Sequence, residues 1–395
     1  MTSTPPIPVI MDVDTGVDDA MSLLFAVRHP GIELRAVTCV VGNTGVDKVT
    51  ANTRYVLDAA GAGDIPVARG AAHPLLAPVI NAGHVHGADG LGGFSRPSDR
   101  RLSPLPAVEL LRRELMGAVG TGDKITVVPS APLTNIALLL RTHPEVAAGI
   151  ERIVFMGGSA SVGNVTVAAE FNIWHDPEAA AIALAAAGEL EIPVTMYGLD
   201  VFNDVVITRQ EAAALKRALD PGAQLAGALI RFACDTFGTE SASIGDAGTV
   251  CAVVDPGGLR TERCPVQVEL GNGFARGQTL VDRRTWRGDH DADPHQAKST
   301  MVDGARRRCP AIRGSVVGHR GRLNDTRSCH GIRRLWPAVV PALAWPRPAQ
   351  IGPPWSVRNP DVLVPQRRPG CDEVGHQLRT LRIVDDDHFD AAIAQ

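Results

Sequence analysis

The 395-residue chain has no long apolar run: nothing approaches the roughly 18–20 consecutive apolar residues needed to cross a bilayer, so no membrane partner is expected. Its first residues, "MTSTPPIPVIMDVD", have no basic stretch followed by an extended apolar core, and no secretory signal is expected. The seven cysteines (Cys39, Cys234, Cys251, Cys264, Cys309, Cys329 and Cys371) are odd in number and show no CxxC or zinc-finger spacing. That favours a reduced, cytoplasmic compartment over a disulfide frame. Neither charge sign dominates: 39 Lys+Arg against 43 Asp+Glu leave −4, which gives no general pull toward nucleic acid or anionic lipid. No internal repeat is evident.

What the chain does have is alternation. "IPVIMDV", "ELRAVTCVVG", "KITVVPS", "IERIVFMGG" and "IPVTMYG" read as strands. Between them "DDAMSLLFAVRHP", "VDKVTANTRYVLDAAG", "LTNIALLLRTHP" and "PEAAAIALAAAG" read as helices, the second closed by Gly61. The strands are near-continuous apolar runs, as in strands covered on both faces. The expected fold is therefore α/β: an open, mainly parallel sheet flanked by helices. Ligands in such sheets sit at the carboxyl ends of the strands, where "VGN" (41–43), "PSAPLTN" (129–135) and "MGG" (156–158) fall.

The character changes near residue 287. Four of the five tryptophans lie at or after position 286, amid Arg, Pro and Gly with no sustained period of 2 or 3.6. Two domains of text are expected: a catalytic domain over 1–286, and an atypical segment over 287–395 that is either without packed structure or read in a frame departing from the ancestral one. An RNA-binding tail is a weaker reading, because the arginines lack interleaved stacking aromatics.

"VIMDVDTGVDDAMSLL" (9–24) crowds Asp12, Asp14, Asp18 and Asp19 into eight positions at the end of the first strand. Capping a helix explains one or two of them. Two bare carboxylates roughly 4 Å apart repel by about 4 kcal/mol at an effective dielectric of 20, so four need a cation. All-oxygen ligation without nearby Cys or His favours a hard ion, Ca²⁺ or Mg²⁺. Gly16 is expected to permit the tight turn between the two pairs. An aspartate pair at a strand end also opens haloacid-dehalogenase-like phosphatases, in which Asp12 would be the nucleophile.

"DVDTGVDDA" resembles the N-terminal signature of the inosine-uridine-preferring nucleoside hydrolases, and the resemblance runs on through "VVGN", "HGADGLGG", "APLTNIAL", "RIVFMGGSASVGNVTVAAEFNIWHDPEAA", "GLDV" and "GDAGTVCAVVDP". It covers roughly residues 7–285. The resemblance implies a Ca²⁺-dependent N-ribohydrolase that takes a small nucleoside and assembles as a dimer or tetramer. It also implies that Asp14 is metal ligand and general base, that Asp19, the Thr134 carbonyl and Asp246 complete the metal site, and that Asp18 meets a ribose hydroxyl. Asn43, Asn164, Glu170 and Asn172 would contact the sugar, Met156 and Phe171 would line its pocket, and Asp12 would support the turn. Each has a plainer reading as well: Glu170 and Asn172 as helix caps, Asn164 as a turn residue, Met156 as strand core, Asp246 as an N-cap, His86 as a polar loop residue.

The chain departs from the family pattern at Gly245-Asp246, where many purine-capable members carry His-Asp. That histidine is the proposed acid for the leaving base. Its replacement motivates an alternative, a catalytically weakened ribose or nucleoside binder. His86, His175, Asp235 and Glu240 are the other groups considered for the acid role.

Overall fold

The computed structural model describes residues 5–284 and 300–306. The strands are β1 Ile7–Val13, β2 Ile32–Cys39, β3 Val67–Arg69, β4 Ile125–Pro129, β5 Ile150–Met156, β6 Val194–Tyr197, β7 Val206–Thr208, β8 Ser241–Ser243, β9 Arg260–Val268, β10 Thr279–Val281 and β11 Thr300–Arg306. The helices are α1 Val17–Arg28, α2 Val46–Ala60, α3 Gly83–His86, α4 Ala107–Thr121, α5 Thr134–Thr142, α6 Phe171–His175, α7 Pro177–Glu189, α8 Leu199–Phe202, α9 Arg209–Lys216, α10 Pro221–Phe237 and α11 Gly245–Val254. Every strand and helix expected from the apolar runs is present. Gly61 ends α2 in the left-handed conformation (φ 72°), its N–H returning to the carbonyls of Leu57 and Asp58.

Nine strands form one sheet in the order β10-β9-β11-β6-β5-β4-β1-β2-β3. From β11 to β3 all neighbours are parallel; β9 runs antiparallel between β10 and β11. The pairing of β11 carries the sheet past residue 286, into the Arg/Pro/Trp-rich text. Residues 287–299 and 307–395 of that text lie outside the described residues.

Both faces of the sheet are covered. Val9, Met11 and Val13 of β1 join the apolar cluster formed with α1, α2, α10 and α11, while Ile10 joins the cluster of α4, α5 and α7. This two-sided burial is why the strands read as unbroken apolar runs rather than alternating ones. It also explains α1, which is buried nearly all round, Leu23 and Phe25 included, rather than along one stripe. The chain leaves β1 toward β2 on one side and returns to β4 on the other, so the strand order reverses between β1 and β4. At such a switch point the loops after adjacent strands diverge and open a crevice. Asp14 follows β1 there, and Ser130 follows β4.

Candidate active site

Asp12 is the last-but-one residue of β1 and lies on the side facing α5. Its Oδ1 accepts from Thr38 Oγ1 (2.5 Å) and Asn135 Nδ2 (2.8 Å). Asn135 in turn donates to the Cys39 carbonyl (3.1 Å) and accepts from the Ala71 N–H (3.0 Å), tying the ends of β1, β2 and β3 to the start of α5. Asp12 is thus a tie between β1, β2 and α5 and is fully buried. Burial pushes its pKa up to about 7 against those two hydrogen bonds.

Asp14 and Asp19 are also fully buried. Asp14 Oδ2 accepts from the Asn43 N–H (2.7 Å). Asp19 Oδ2 accepts from the Gly16 N–H (3.0 Å) and Asn43 Nδ2 (3.2 Å), and its Oδ1 accepts from Ser130 Oγ (2.8 Å). Asp246, at the start of α11, brings a carboxylate from the far end of the domain: ligand atoms of Asp18, Asp19 and Asp246 all lie within 4.8 Å of one another. Burial, then the neighbouring carboxylates, hold Asp14 and Asp246 well above the usual carboxylate range. Burial and the charge of Asp18 raise Asp19 to about 7.

This donor set fits a hard cation. It is all oxygen, and the buried Asp14 Oδ1 and Asp18 Oδ1 have no hydrogen-bond partner among the described residues. Buried polar atoms are rarely left unpaired, and a divalent ion satisfies such oxygens while removing their mutual repulsion.

Glycine at two positions is a matter of space. Gly16 has extended backbone (φ −98°), open to any residue, so the turn itself does not require glycine. A Cβ there would meet His86 Nδ1 at 2.6 Å and Asn43 Nδ2 at 2.7 Å; glycine lets those side chains close over the loop. A Cβ on Gly42 would run into the Asp14 carboxylate. Gly42→Ala should therefore push Asp14 off the Asn43 N–H and lower kcat by about 10²-fold, the order expected for a misplacement near 1 Å. Steady-state kinetics on a variant with unchanged circular dichroism checks this.

The sequence profile of the inosine-uridine preferring nucleoside hydrolases matches residues 9–306. The chain belongs to that family. Over 282 residues it is 39% identical to the pyrimidine-specific ribonucleoside hydrolase RihA of Photobacterium profundum, covering 70% of this chain and 89% of the relative. Over 287 residues it is 38% identical to the inosine-uridine preferring nucleoside hydrolase of Leishmania major, covering 71% and 88%. Among solved structures, a plant nucleoside hydrolase superposes with TM-score 0.73 at 27% identity, covering 87% of this chain and 100% of that one. A purine-preferring ribonucleoside hydrolase from Gardnerella vaginalis, at 24% identity and TM-score 0.69, shares the fold. Nucleoside hydrolases are N-glycosyl hydrolases, and this chain is an enzyme of that class.

The remaining residues singled out in the sequence gather at the same end of the sheet of this nucleoside hydrolase. Asn172 Nδ2 donates to the carbonyls of Ser130 and Met156 (3.2 Å each), bridging the ends of β4 and β5. Met156 is buried in a small apolar cluster with Tyr197, Leu199, Val201 and Ala252. Glu170 caps α6: its carboxylate accepts from the N–H groups of Asn172, Ile173 and Gly158 at 2.9–3.1 Å. Burial nevertheless raises it to about 7. Asn164 is exposed, with Oδ1 accepting from the Phe171 N–H (2.9 Å), and Phe171 is half-buried. Thr134 opens α5 and its hydroxyl donates to Asp176 Oδ2 (2.7 Å). Asp14 is not one of the Asp18–Asp19–Asp246 trio, but the charge of Asp19 bears directly on it.

Sequence reasoning missed that Ser130 holds Asp19 and that Asn135, in the first turn of α5, holds Asp12. Their position just after β4 was the available signal. His86 is buried, and its Nδ1 accepts from the Val17 N–H (3.1 Å). An acceptor nitrogen carries no proton, so His86 stands neutral with its proton on Nε2, and burial lowers its pKa. Burial likewise pushes His175 down to about 4.

Proposed function

We propose that this enzyme hydrolyses the N-glycosidic bond of ribonucleosides to free base and ribose, with Ca²⁺ as its resident ion and Asp14 as general base. The observation that carries this reading is the convergence of Asp18, Asp19 and Asp246 beside Asp14 at the β1/β4 switch point. Asp14, Asp19, Asp246 and the Thr134 carbonyl would hold the ion, with Asp18 turned to the ribose diol. A bound divalent cation lowers the pKa of a water and orients the sugar hydroxyls.

The protein's own groups do the rest. Asp14, anchored through Oδ2 on Asn43, has Oδ1 free to take the proton as water attacks C1′. Oxocarbenium charge building on the ribose is favoured by the surrounding carboxylates and amide oxygens, which are fixed before the substrate arrives. Asn43, Asn172, Asn164 and Glu170 would orient the sugar, with Met156 and Phe171 against its apolar face.

The two relatives above carry different base preferences in their names, so likeness alone does not choose a base for this chain. Purified protein with Ca²⁺ is expected to release reducing sugar from inosine, uridine or cytidine, with elemental analysis finding one calcium per chain. Gly245 is the observation that favours the second reading, a weakened binder. Calorimetry separates the two: nucleoside binding without product would support the binder and sink the hydrolase.

A further inference from the structure

β10 stands at one end of the strand order and pairs only with β9. It nevertheless reaches the turn that follows β5. Thr279, the first residue of β10, is buried; its hydroxyl accepts from the Ser159 N–H (2.9 Å) and donates to the Ser159 carbonyl (2.6 Å), across 120 positions of sequence. One side chain thus satisfies both main-chain groups of Ser159. The peptide between Gly158 and Ser159 is held from its other side too, because the Gly158 carbonyl accepts from the Leu199 N–H (3.0 Å). Gly158 is left-handed (φ 69°), a conformation costly for a residue with a Cβ, and a Cβ there would meet Thr279 Cγ2 at 2.7 Å. With its backbone fixed in this way, Gly158 donates its N–H to Glu170 Oε2 (2.9 Å).

Glu170 is where these contacts meet the acidic site. After burial, which comes first at both residues, the charge of Asp18 adds to the rise in pKa at Glu170, and the charge of Glu170 adds to the rise at Asp246. The same carboxylate accepts from the Asn172 and Ile173 N–H groups, so a shift of Glu170 carries the first turn of α6 with it. The β9–β10 hairpin also packs on α6 directly: Gly277 has φ 82°, and a Cβ on it would meet Trp174 Cα at 2.7 Å. Elsewhere on the hairpin, Arg276 pairs with Glu178 of α7 (2.5 Å) and touches neither Ser159 nor Glu170.

We propose that Thr279 is a positioning residue for the reaction: its hydroxyl fixes the Gly158–Ser159 peptide, and through it the place of Glu170 and the start of α6 against the bound ribose. This rests on the hydrolase reading above, in which Glu170 and Asn172 orient the sugar. Without the hydroxyl, the Ser159 N–H and carbonyl lose their partner in a buried setting, which is costly. The turn then rearranges to satisfy them, and Glu170 moves with it.

The test uses the full chain with saturating Ca²⁺, and uridine, inosine, cytidine and free ribose as probes. Thr279→Val, matched in shape, should lower kcat/KM by about ten-fold or more, toward the hundred-fold expected of a misplacement near 1 Å. It should weaken ribose binding in calorimetry and leave calcium affinity unchanged. Thr279→Ser, which keeps the hydroxyl, should restore most of the loss. Arg276→Met, which breaks the ion pair on the same hairpin, should lower Tm and leave kcat/KM as it is. If Thr279→Val does not fold, Thr279→Cys, whose thiol is a weak donor and acceptor, takes its place. Wild-type kinetics in Thr279→Val overturn the proposal. So does a loss of kcat/KM in Thr279→Ser or Arg276→Met as large as that in Thr279→Val, since the effect would then be general to the hairpin. Wild-type protein that binds ribose but turns over no nucleoside removes the hydrolase reading; unweakened ribose binding by Thr279→Val then removes the role of Thr279, and weakened binding supports it. Wild-type protein that neither binds ribose nor turns over nucleoside removes both.

Discussion

Asp14→Asn should yield a folded protein whose nucleoside turnover is about 10²- to 10⁴-fold lower, the range for removing a general base. The substitution is nearly isosteric, and an amide oxygen can still accept the Asn43 N–H that Asp14 accepts at 2.7 Å. It also removes a buried carboxyl that burial and Asp19 hold well above its usual pKa, so thermal stability in the absence of metal should stay level or rise. On the proposed role, in which Asp14 takes its proton only as water attacks, the loss should fall on kcat. A reducing-sugar assay beside a melting curve separates chemistry from folding. Retained kcat in a folded Asp14→Asn protein would remove Asp14 from the mechanism.

The second large effect is the coupling of metal, pH and stability. In metal-free protein Asp12 and Asp19 titrate near 7 rather than at 3.8. Between about pH 4 and 7 the native state therefore keeps protons that the unfolded chain has already lost. Stability must then fall as pH rises through that window. For Asp12 alone, raising a pKa from 3.8 to about 7 corresponds to about 4 kcal/mol lost by neutral pH, a large share of a typical margin of about 5–15 kcal/mol. Asp14, Asp19 and Asp246 are raised too and add in the same direction. A bound cation reverses the preference by stabilising the ionised carboxylates. Melting curves in EDTA should thus decline from pH 5 to pH 7.5, and the gain in Tm on adding Ca²⁺ should be much larger at pH 7.5 than at pH 5. A calcium increment independent of pH would contradict a carboxylate-held ion.

The alternation of strands and helices was legible because burial on both faces of a parallel sheet leaves a local trace, an unbroken apolar run such as "IPVIMDV". Strands in other settings left weaker traces. β3 and β10 have three residues each, and β9 has a mixed burial pattern that reads as neither alternation nor a run. β11 lay hidden in text whose composition suggested no structure, since a strand is decided by the partners it pairs with, here β9 and β6.

For the site, the sequence by itself determined that a crowded acidic turn stood at a strand end and had to be neutralised, since four carboxylates in eight positions repel whatever the fold around them. Only the tertiary structure decided which groups answer it. Ser130 reaches Asp19 across 111 positions and Asn135 reaches Asp12 across 123, distances over which no periodicity carries information. It likewise decided that Gly16 and Gly245 are small to admit the neighbours that press on them, His86 and Phe202. Periodicity and charge density act between residues close along the chain, and sheet order alone sets which distant residues come to share a pocket.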